Sequence, residues 1–462
     1  MDTRIETTTQ AEHLAEAMAA LRWADLPARA RHVALLDLID MAGLCIAARH
    51  TEYIGQLVQT WDSDGACTLL GHARRLDAGG AALVNGTATH GEDFDDTLEG
   101  APIRVGAMVI PAVLAAGERF GLSGERVMTG IVAGCEAICR LNHVAAGHMH
   151  KAGFHPVGVI GTLGAAVGAG TALGLDARRL TMALGIAGSF SSGIIEYLAD
   201  GAWTKRLHPG WSAQSGLRAA VIARSGFFAP RTVLEGDHGF FRAFAPTATP
   251  DFSHVTDGLG TQFYMERIAF KPYACGTMIH PYIDCAIRMG RDGITADEIE
   301  EIICPTGEGL VHRLWEPLEA KHMPPSGYAA KFSMPYCMAV GFFEGDAGLG
   351  QFTDEKAQDP KIRALARKIS YRIDPENEYP RNYSGHLRVR LKDGRALSYD
   401  QPHMRGGQRE PLTEDEITAK FATNIAYGGW REERGAALLA YLRELEHARD
   451  LSGLARFGGE EV

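Results

Sequence analysis

The sequence predicts a mainly α protein with a large all-helical domain and a smaller α+β domain. Apolar residues recur at helical spacing through about the first 265 positions, strand-like patterns begin near residue 268, and helical spacing returns at the end. At 462 residues the chain is too long for one ordinary core. We therefore expect residues 1–267 and 405–462 to form the helical domain and residues 268–404 the α+β domain.

The helical domain is predicted from apolar periodicity and from residues that start or stop helices. Residues 30–47 are apolar around most of a helical surface, so this helix is expected to be buried. Ser123 is a candidate N-cap for the next strongly periodic segment. The apolar segment 157–175 is rich in Gly and Ala and has a natural helix stop at Gly174, after which Asp176 is suited to cap another helix. These features predict closely packed helices.

The α+β domain is predicted from short β-branched or alternating runs. These strand candidates are 299–304, 369–373 and 387–391. The last run is followed by Asp393 and Gly394, a pair that favours a hairpin turn. Helical segments are expected between the strands and again towards the end of the chain, at 278–289, 329–343, 361–368, 413–422 and 431–448.

Composition excludes several functional classes. Apolar residues make up 46% and charged residues 22%, which is ordinary for a folded protein, and the net charge of −11 disfavours nucleic acid or an anionic membrane as a partner. The first residues lack the apolar core of a signal peptide. Eight cysteines without a C-x-x-C pair suggest reduced thiols, a cytoplasmic location and no iron–sulfur cluster. An anionic substrate would require a local cluster of cations.

An unusually acidic run lies ahead of an apolar helix expected to start near Ala107. Five acids occupy eight positions, namely Glu92, Asp93, Asp95, Asp96 and Glu99. The run can supply capping carboxylates at a helix N-terminus, or oxygen ligands for a divalent metal. Alternatively it forms the polar floor of an active site, with Asp93 as acid, base or orienting residue and Thr97 as a hydrogen-bond donor. All three interpretations remain open at this stage.

Two further segments carry groups suited to proton transfer and anion binding. His155, fixed before Pro156 at the start of a small-residue helix, can transfer protons near neutral pH, although a structural role is an alternative. Lys205, Arg206 and His208 suit a loop that holds an anion, although a solvated basic turn is equally consistent with them. Lys271 and Tyr336 lie in later segments with the same character.

These segments together resemble the MmgE/PrpD family over nearly the whole chain. The resemblance depends on eight short motifs in the family's order, which contain Asn85 with Gly86 and His90, Asp93 to Thr97, Gly153 to Pro156, Lys205 to Gly210, Leu234 to Gly236, Lys271 to Tyr273, Phe332 to Tyr336, and Leu391 to Arg395. The family includes 2-methylcitrate dehydratases, cis-aconitate decarboxylases and iminodisuccinate epimerases. It implies a helical domain with a smaller inserted lid domain, a homodimer, and neither metal nor organic cofactor.

The resemblance also implies roles for individual positions, with one departure. It assigns polar active-site roles to six residues: Asp93, Thr97, His155, Lys205, Lys271 and Tyr336. Arg104 stands where the dehydratase and decarboxylase branches have a histidine before the Val-Ile-Pro segment. An arginine is always protonated, so it cannot shuttle a proton at pH 7, but it can clamp a carboxylate with two hydrogen bonds.

The resulting hypothesis is a cofactor-independent lyase that moves a proton at the carbon next to a carboxylate of a small di- or tricarboxylic acid. The proposed catalytic residues are His155, Lys205, Asp93 and Tyr336, and the proposed substrate-binding residues are Arg104, Lys271, Thr97, His208 and Arg206. A dehydratase is placed first because that is the commonest function in the family. The alternatives are an epimerase of an imino- or amino-dicarboxylate, a cis-aconitate-type decarboxylase, and a non-catalytic or metal-dependent binding protein on the same scaffold.

Overall fold

The computed structural model describes residues 7–101, 103–199 and 201–459. The predicted fold class is confirmed: the chain is mainly α, and strands form only small sheets. The residues divide into two compact units. The first runs up to Gly91, from Asp95 to Ile268, and from Glu414 onward; the second comprises Glu92–Phe94 and Ala269–Thr413. The first six residues, which bear on the signal-peptide prediction, lie outside the described part.

The first unit is built almost entirely from helices. Its α-helices are α1 Gln10–Ala20, α2 Ala28–Ala48, α3 Glu52–Thr60, α4 Ala78–Gly91, α5 Gly106–Phe120, α6 Gly124–Val144, α7 His148–Lys151, α8 Pro156–Ala172, α9 Ala177–Phe190, α10 Thr204–Arg224, α11 Phe240–Phe244 and α12 Ser253–Thr256. Two short strands, β1 Asp64–Thr68 and β2 Arg75–Leu76, pair antiparallel, and β3 spans Thr97–Leu98.

The predicted helix boundaries of this unit depend on capping side chains. Ser123 accepts a hydrogen bond from the Arg126 N–H at the start of α6, and Asp176 caps α9 through the Arg179 N–H. Gly174 has a φ of +71°, which an L side chain rarely adopts, and it follows the end of α8. These signals are therefore confirmed. No helix in the described ranges is long and apolar enough to cross a membrane.

Glycines allow α6 and α8 to approach closely. A Cβ added at Gly134 would lie 2.6 Å from Val109 Cγ1 and 2.8 Å from the Gly164 carbonyl oxygen. A Cβ at Gly168 would lie 2.9 Å from the Gly130 carbonyl oxygen. The glycines on each helix are four residues apart, which places each pair on one face. The backbones are thus close enough that these positions exclude a methyl group.

The C-terminal helices return to the first unit. They are α20 Glu414–Tyr427 and α21 Glu432–Arg443. The ammonium group of Lys420 lies 2.8 Å from the Asp40 carboxylate on α2, and both side chains are buried. Removing one partner of such an ion pair leaves an uncompensated buried charge. The pair therefore fixes α20 against α2.

The second unit combines helices with a four-stranded sheet. Its helices are α13 His280–Arg291, α14 Glu308–Leu310, α15 Leu318–His322, α16 Gly327–Ala330, α17 Met334–Glu344, α18 Asp354–Ala357 and α19 Pro360–Ala366. Its strands are β5 Ile299–Thr306, β6 Ile369–Ile373, β7 Gly385–Leu391 and β8 Ala396–Gln401, with β4 Ile268–Ala269 at the unit boundary in sequence. The order is β6-β5-β7-β8, with β5 parallel to β6 and antiparallel to β7.

Local residues explain two predictions in this unit. The hairpin between β7 and β8 is confirmed, with Gly394 at a φ of +90°. The segment predicted as helical over 329–343 is helical at both ends, but it is interrupted between α16 and α17. Ser333 caps α17 through the Tyr336 N–H, and Pro335 sits in the first turn, where a missing N–H costs nothing. These two residues restart the helix.

We expect Gly134→Ala to lower the free energy of unfolding by about 1–3 kcal/mol, because the new methyl group has no room against the α8 backbone. Gly55 provides the matched control: it also lies in a helix, α3, but a Cβ there would meet nothing within 4 Å. Gly55→Ala should stabilise by about 0.5–1 kcal/mol. Thermal unfolding of both variants checks this, and a lower midpoint for Gly55→Ala or a higher one for Gly134→Ala would contradict it.

Candidate active site

His155 is held at the start of α8 by a short backbone pairing. It is the N-cap residue, with Pro156 in the first helical position. Its N–H donates to the Gly193 carbonyl at 2.9 Å, and the Ile195 N–H donates to the Gly153 carbonyl at 3.0 Å. Gly153 has a φ of +91°, so the turn before the histidine favours glycine. His155 is only 8% exposed. The loop at 193–195 therefore fixes both its backbone and its burial.

His155 forms a direct hydrogen bond with His208 on α10. Their Nδ1 atoms are 3.0 Å apart. The two helices are tied together beside them, because the Ser212 hydroxyl donates to the Gly158 carbonyl at 2.9 Å. Gly193 packs against the His208 ring, since an added Cβ would lie 3.3 Å from its Nδ1. The relative position of the two rings is therefore set by helix packing.

Both histidines are neutral at pH 7. Burial lowers the pKa of His155 well below its usual value, and neighbouring histidines and the cations of Lys205 and Arg104 lower it further. Burial, together with His90 and Lys205, lowers the pKa of His208 to about 4. A neutral imidazole carries one proton. Because the Nδ1 atoms share a hydrogen bond, one ring has a bare Nε2 and the other has an Nε2–H.

The predicted loop for Lys205, Arg206 and His208 is wrong, because these residues lie in the first turns of α10. Lys205 acts on the histidine pair. Its charge lowers the pKa of both histidines. The guanidinium of Arg206 instead lies over the Tyr53 ring, 4.5 Å from its centroid. Tyr197 stands edge-on to both histidine rings, at 5.6 Å from His155 and 5.9 Å from His208. Tyr197 was not predicted, because it belongs to none of the motifs or periodic segments of the sequence.

A histidine–carboxylate contact lies in the same unit, between His90 and Asp95. Nδ1 of His90 is 2.8 Å from Asp95, and both side chains are buried. The other oxygen of Asp95 is 3.4 Å from Nε of Arg104. The ring of His90 is centred 6.0 Å from that of His155. The sequence analysis named His90 and Asp95 but did not predict this pair. α4 ends at Gly91, so the two residues do not lie on one helix, and neither helical nor strand periodicity predicts a contact between positions five apart.

The acidic run divides among different partners. Asp96 accepts hydrogen bonds from the Val105 and Gly106 N–H groups at the start of α5, so the capping interpretation is confirmed for it. Burial and the charge of Asp95 raise the pKa of Asp96 to about 7. Thr97 is buried in β3. Among the residues that the structure describes, no group of three or more His, Cys, Asp or Glu side chains is placed to hold a metal ion.

The second unit contains two buried lysines bound to the start of the acidic run. Nζ of Lys271 donates to the carbonyls of Asp93 at 2.6 Å and Cys275 at 3.1 Å, and it lies 3.4 Å from the Asp93 carboxylate. Lys331 contacts the carbonyl and carboxylate of Glu92 at 2.5 and 3.0 Å. The sequence hypothesis did not include the pair of Lys331 and Glu92, although Lys331 directly precedes the Phe332–Tyr336 motif.

Asp93 and Tyr336 occupy constrained positions in the second unit. Asp93 has a φ of +55°, in the left-handed region that only a few non-glycine residues adopt. The Tyr336 hydroxyl donates to the Gln351 carbonyl at 2.7 Å, and burial raises the pKa of that phenol. The structure thus joins Asp93 to Lys271, and it joins His155 to His208 near Lys205 and Arg104. Tyr336 has a partner of its own.

Comparison with known proteins identifies relatives over most of the chain. Residues 12–253 match the MmgE/PrpD N-terminal domain, and residues 273–442 match the MmgE/PrpD C-terminal domain. A cis-aconitate decarboxylase of Aspergillus terreus is 27% identical over 455 residues, covering 93% of this chain and 91% of the relative. The cis-aconitate decarboxylase of Mus musculus is 28% identical, covering 91% and 87%. On these matches, the chain belongs to the MmgE/PrpD family.

Proposed function

We propose that the chain is a lyase that removes water from a small di- or tricarboxylic acid by proton transfer at the carbon next to a carboxylate. The observation that carries this proposal is the buried hydrogen bond between His155 and His208, beside the cations of Lys205 and Arg104. An elimination requires a base for the carbon-bound proton and an acid for the departing hydroxyl. A pair of neutral rings that share one Nδ1 proton presents both at once.

The proposed elimination moves protons through the histidine pair without a net change in the charge of either ring. The bare Nε2 of one ring, taken as His155, forms an N–H bond as the C–H bond breaks, and the electron pair passes into an enolate-like carboxylate. The Nδ1 proton of His155 moves to Nδ1 of His208. The Nε2–H of His208 then protonates the hydroxyl, which leaves as water while the C–O electrons depart with it. Each ring ends neutral with its tautomer exchanged, and proton exchange with solvent resets the pair.

The nearby cations lower the cost of the intermediate. A carbanion next to a carboxylate places extra negative charge on the carboxylate oxygens, and positive groups already in position stabilise that charge by several kcal/mol in a dry site. The charges of Lys205 and Arg104 both act on His155. An anionic substrate would oppose their effect on the histidine, so binding would raise the base strength of the ring when proton transfer begins.

The remaining sequence-derived residues keep proposed roles. The 3.4 Å contact of Asp93 with Lys271 supports the idea that Asp93 orients a lysine. Because the Tyr336 hydroxyl donates to Gln351, its oxygen is the part suited to contact a substrate, as an acceptor. Thr97 is proposed to orient the substrate. Arg206 is a proposed substrate contact that would first have to leave the Tyr53 ring.

Decarboxylation is the second candidate, since the named relatives are cis-aconitate decarboxylases. Such a reaction needs a cation-stabilised carbanion and a later proton donor, which the same pair can supply. Arg104 weighs against direct transfer of that activity, because a permanently protonated side chain replaces the family histidine. An epimerase would need an acid and a base on opposite faces of one carbon.

Incubation in D₂O with citrate-like, aconitate-like and aspartate-derived acids, followed by NMR, tests the function. We expect vinyl signals from water loss, and a rate about 10²- to 10⁴-fold lower for His155→Ala, because the base is gone. His148→Ala is the control, since the half-buried His148 ring hydrogen-bonds the Thr247 hydroxyl and has no role in the proposed proton path. We also propose that neither metal nor organic cofactor takes part, so turnover should survive exhaustive EDTA treatment.

The products distinguish the alternatives. Loss of a carboxyl carbon would replace the proposal by a decarboxylase, and deuterium exchange without net change would replace it by an epimerase. Near wild-type turnover of His155→Ala would remove His155 from the mechanism. Loss of activity with EDTA and its recovery with a divalent ion would contradict the cofactor-independent route.

The shared proton predicts a specific NMR signature. In protein labelled with ¹⁵N-histidine, one ring of the pair should show an Nδ1–H tautomer and the other an Nε2–H tautomer. Both should stay neutral as the pH falls from 7 to 5, because the pKa of His208 is about 4 and that of His155 is far below its usual value. His155→Gln and His208→Asn assign the signals. A doubly protonated ring above pH 5 would contradict the relay.

We propose that the chain forms a homodimer through exposed apolar side chains in residues 190–228. Ile194 and Leu198 are 61% and 60% exposed, and Trp211 is 43% exposed. Light scattering should give the mass of two 49.9 kDa chains. Leu198→Asp should shift the protein towards monomer by placing a charge in the interface, whereas Met323→Asp, which removes an exposed apolar residue elsewhere, should not. A monomeric wild type would contradict this.

A further inference from the structure

The contacts of His90 determine which of its nitrogens carries the proton. Asp95 lies 2.8 Å from Nδ1 of His90 and 3.4 Å from Nε of Arg104. An arginine stays protonated and favours the ionised form of a neighbouring carboxylate, which then only accepts hydrogen bonds. Nδ1 of His90 must therefore be the donor. Burial lowers the pKa of His90, so the ring is neutral and its Nε2 is a bare acceptor.

That acceptor has no partner in the described part of the chain. Nε2 of His90 is buried without a hydrogen bond, and the same holds for the hydroxyl oxygen of Thr97. An unsatisfied buried polar atom costs about 1–3 kcal/mol, and such atoms are uncommon in folded proteins. A histidine with one nitrogen held by a carboxylate and the other unsatisfied is therefore suited to a ligand group that donates a hydrogen bond.

His90 lies with the groups that the proposed reaction uses. Its ring is centred 6.0 Å from that of His155. The charges of Lys205 and Arg104 both act on it. A ligand bound to those two cations and to the histidine pair would thus have part of its surface close to His90. Its bare Nε2 would meet a substrate oxygen, and the chemistry of that oxygen determines whether the contact is favourable.

We infer that the series Arg104–Asp95–His90 makes His90 a specificity-determining residue, whose Nε2 accepts a hydrogen bond from a hydroxyl of the substrate. The inference rests on the proposed function. A carboxylate oxygen has only lone pairs, so it would repel the bare nitrogen, whereas a hydroxyl has a proton to donate. Sites built to bind a hydroxyl reject analogues that lack it, because the protein group is then left unsatisfied. Arg104 acts in this series as a positioning residue.

Two pairs of acids that differ by one hydroxyl test the inference without turnover. These are citrate with tricarballylate, and malate with succinate. Isothermal titration calorimetry should show that wild-type protein binds the hydroxyl member of at least one pair about tenfold or more tightly. His90→Asn keeps an N–H that can reach Asp95 but has no atom at the Nε2 position. It should reduce the preference to near unity while the binding of the member without a hydroxyl changes little.

Two control variants distinguish the loss of the hydroxyl contact at His90 from a general structural effect of substitution. His90→Gln places an amide oxygen near the Nε2 position and should retain part of the preference, which a merely structural role would not produce. His143→Asn changes a histidine whose ring contacts His254 and Tyr264 and which has no role in the proposed site, so it should leave the preference unchanged.

Each remaining outcome would overturn the inference. Equal binding within both pairs in the wild type would remove the hydroxyl contact, and a preference that survives His90→Asn would assign it to another residue. In both cases water loss in the D₂O assay would leave the proposed function intact. Absence of binding by all four acids would overturn the inference and the proposed function together.

Discussion

The hydrogen bond between His155 and His208 is the contact on which the proposed chemistry of the first unit depends. Two imidazoles 3.0 Å apart at Nδ1 cannot both carry a proton there, so their outer nitrogens are forced to differ. This asymmetry requires neutral rings, and neutrality requires burial between α8 and α10. The small residues along these helices therefore contribute to chemistry as well as to packing, because a wider spacing would hydrate and separate the rings.

The buried histidines lie near positive side chains, although the chain as a whole is negatively charged. The protein has a net charge of −11, yet Lys205 and Arg104 both act on the buried histidines. Arg104 remains beside them because Asp95 pairs with it, and Asp95 in turn orients His90. Arg104 has a side chain that is only 13% exposed, and such a cation would be costly without a partner. Arg104 is permanently protonated, so it does not exchange protons and instead fixes the protonation of its neighbours.

Much of the fold followed from short-range signals, whereas the site depended on contacts that such signals do not encode. Ser123, Gly174 and Asp176 set helix ends by local backbone chemistry, and the helix stop at Gly174 could be read from one residue. The pairing of His155 with His208 joins residues 53 positions apart, and nothing in the spacing of either predicts it. The pairs at His90 and Lys331 depend likewise on the turn that follows α4, where the backbone of Asp93 is in the left-handed region.

The division of the acidic run between the two units bears on how such a protein can be altered by recombination. Residues 92–94 belong with 269–413, although 177 residues of the chain lie between Asp93 and Lys271 in sequence. A gene segment encoding 269–413 consequently does not encode the whole second unit. Moved to another host, it would leave behind the carbonyls and carboxylates that receive the ammonium groups of Lys271 and Lys331, and two buried cations would need new partners. A functional transfer of the second unit would therefore also have to include Glu92–Phe94, which lie in sequence between two segments of the first unit.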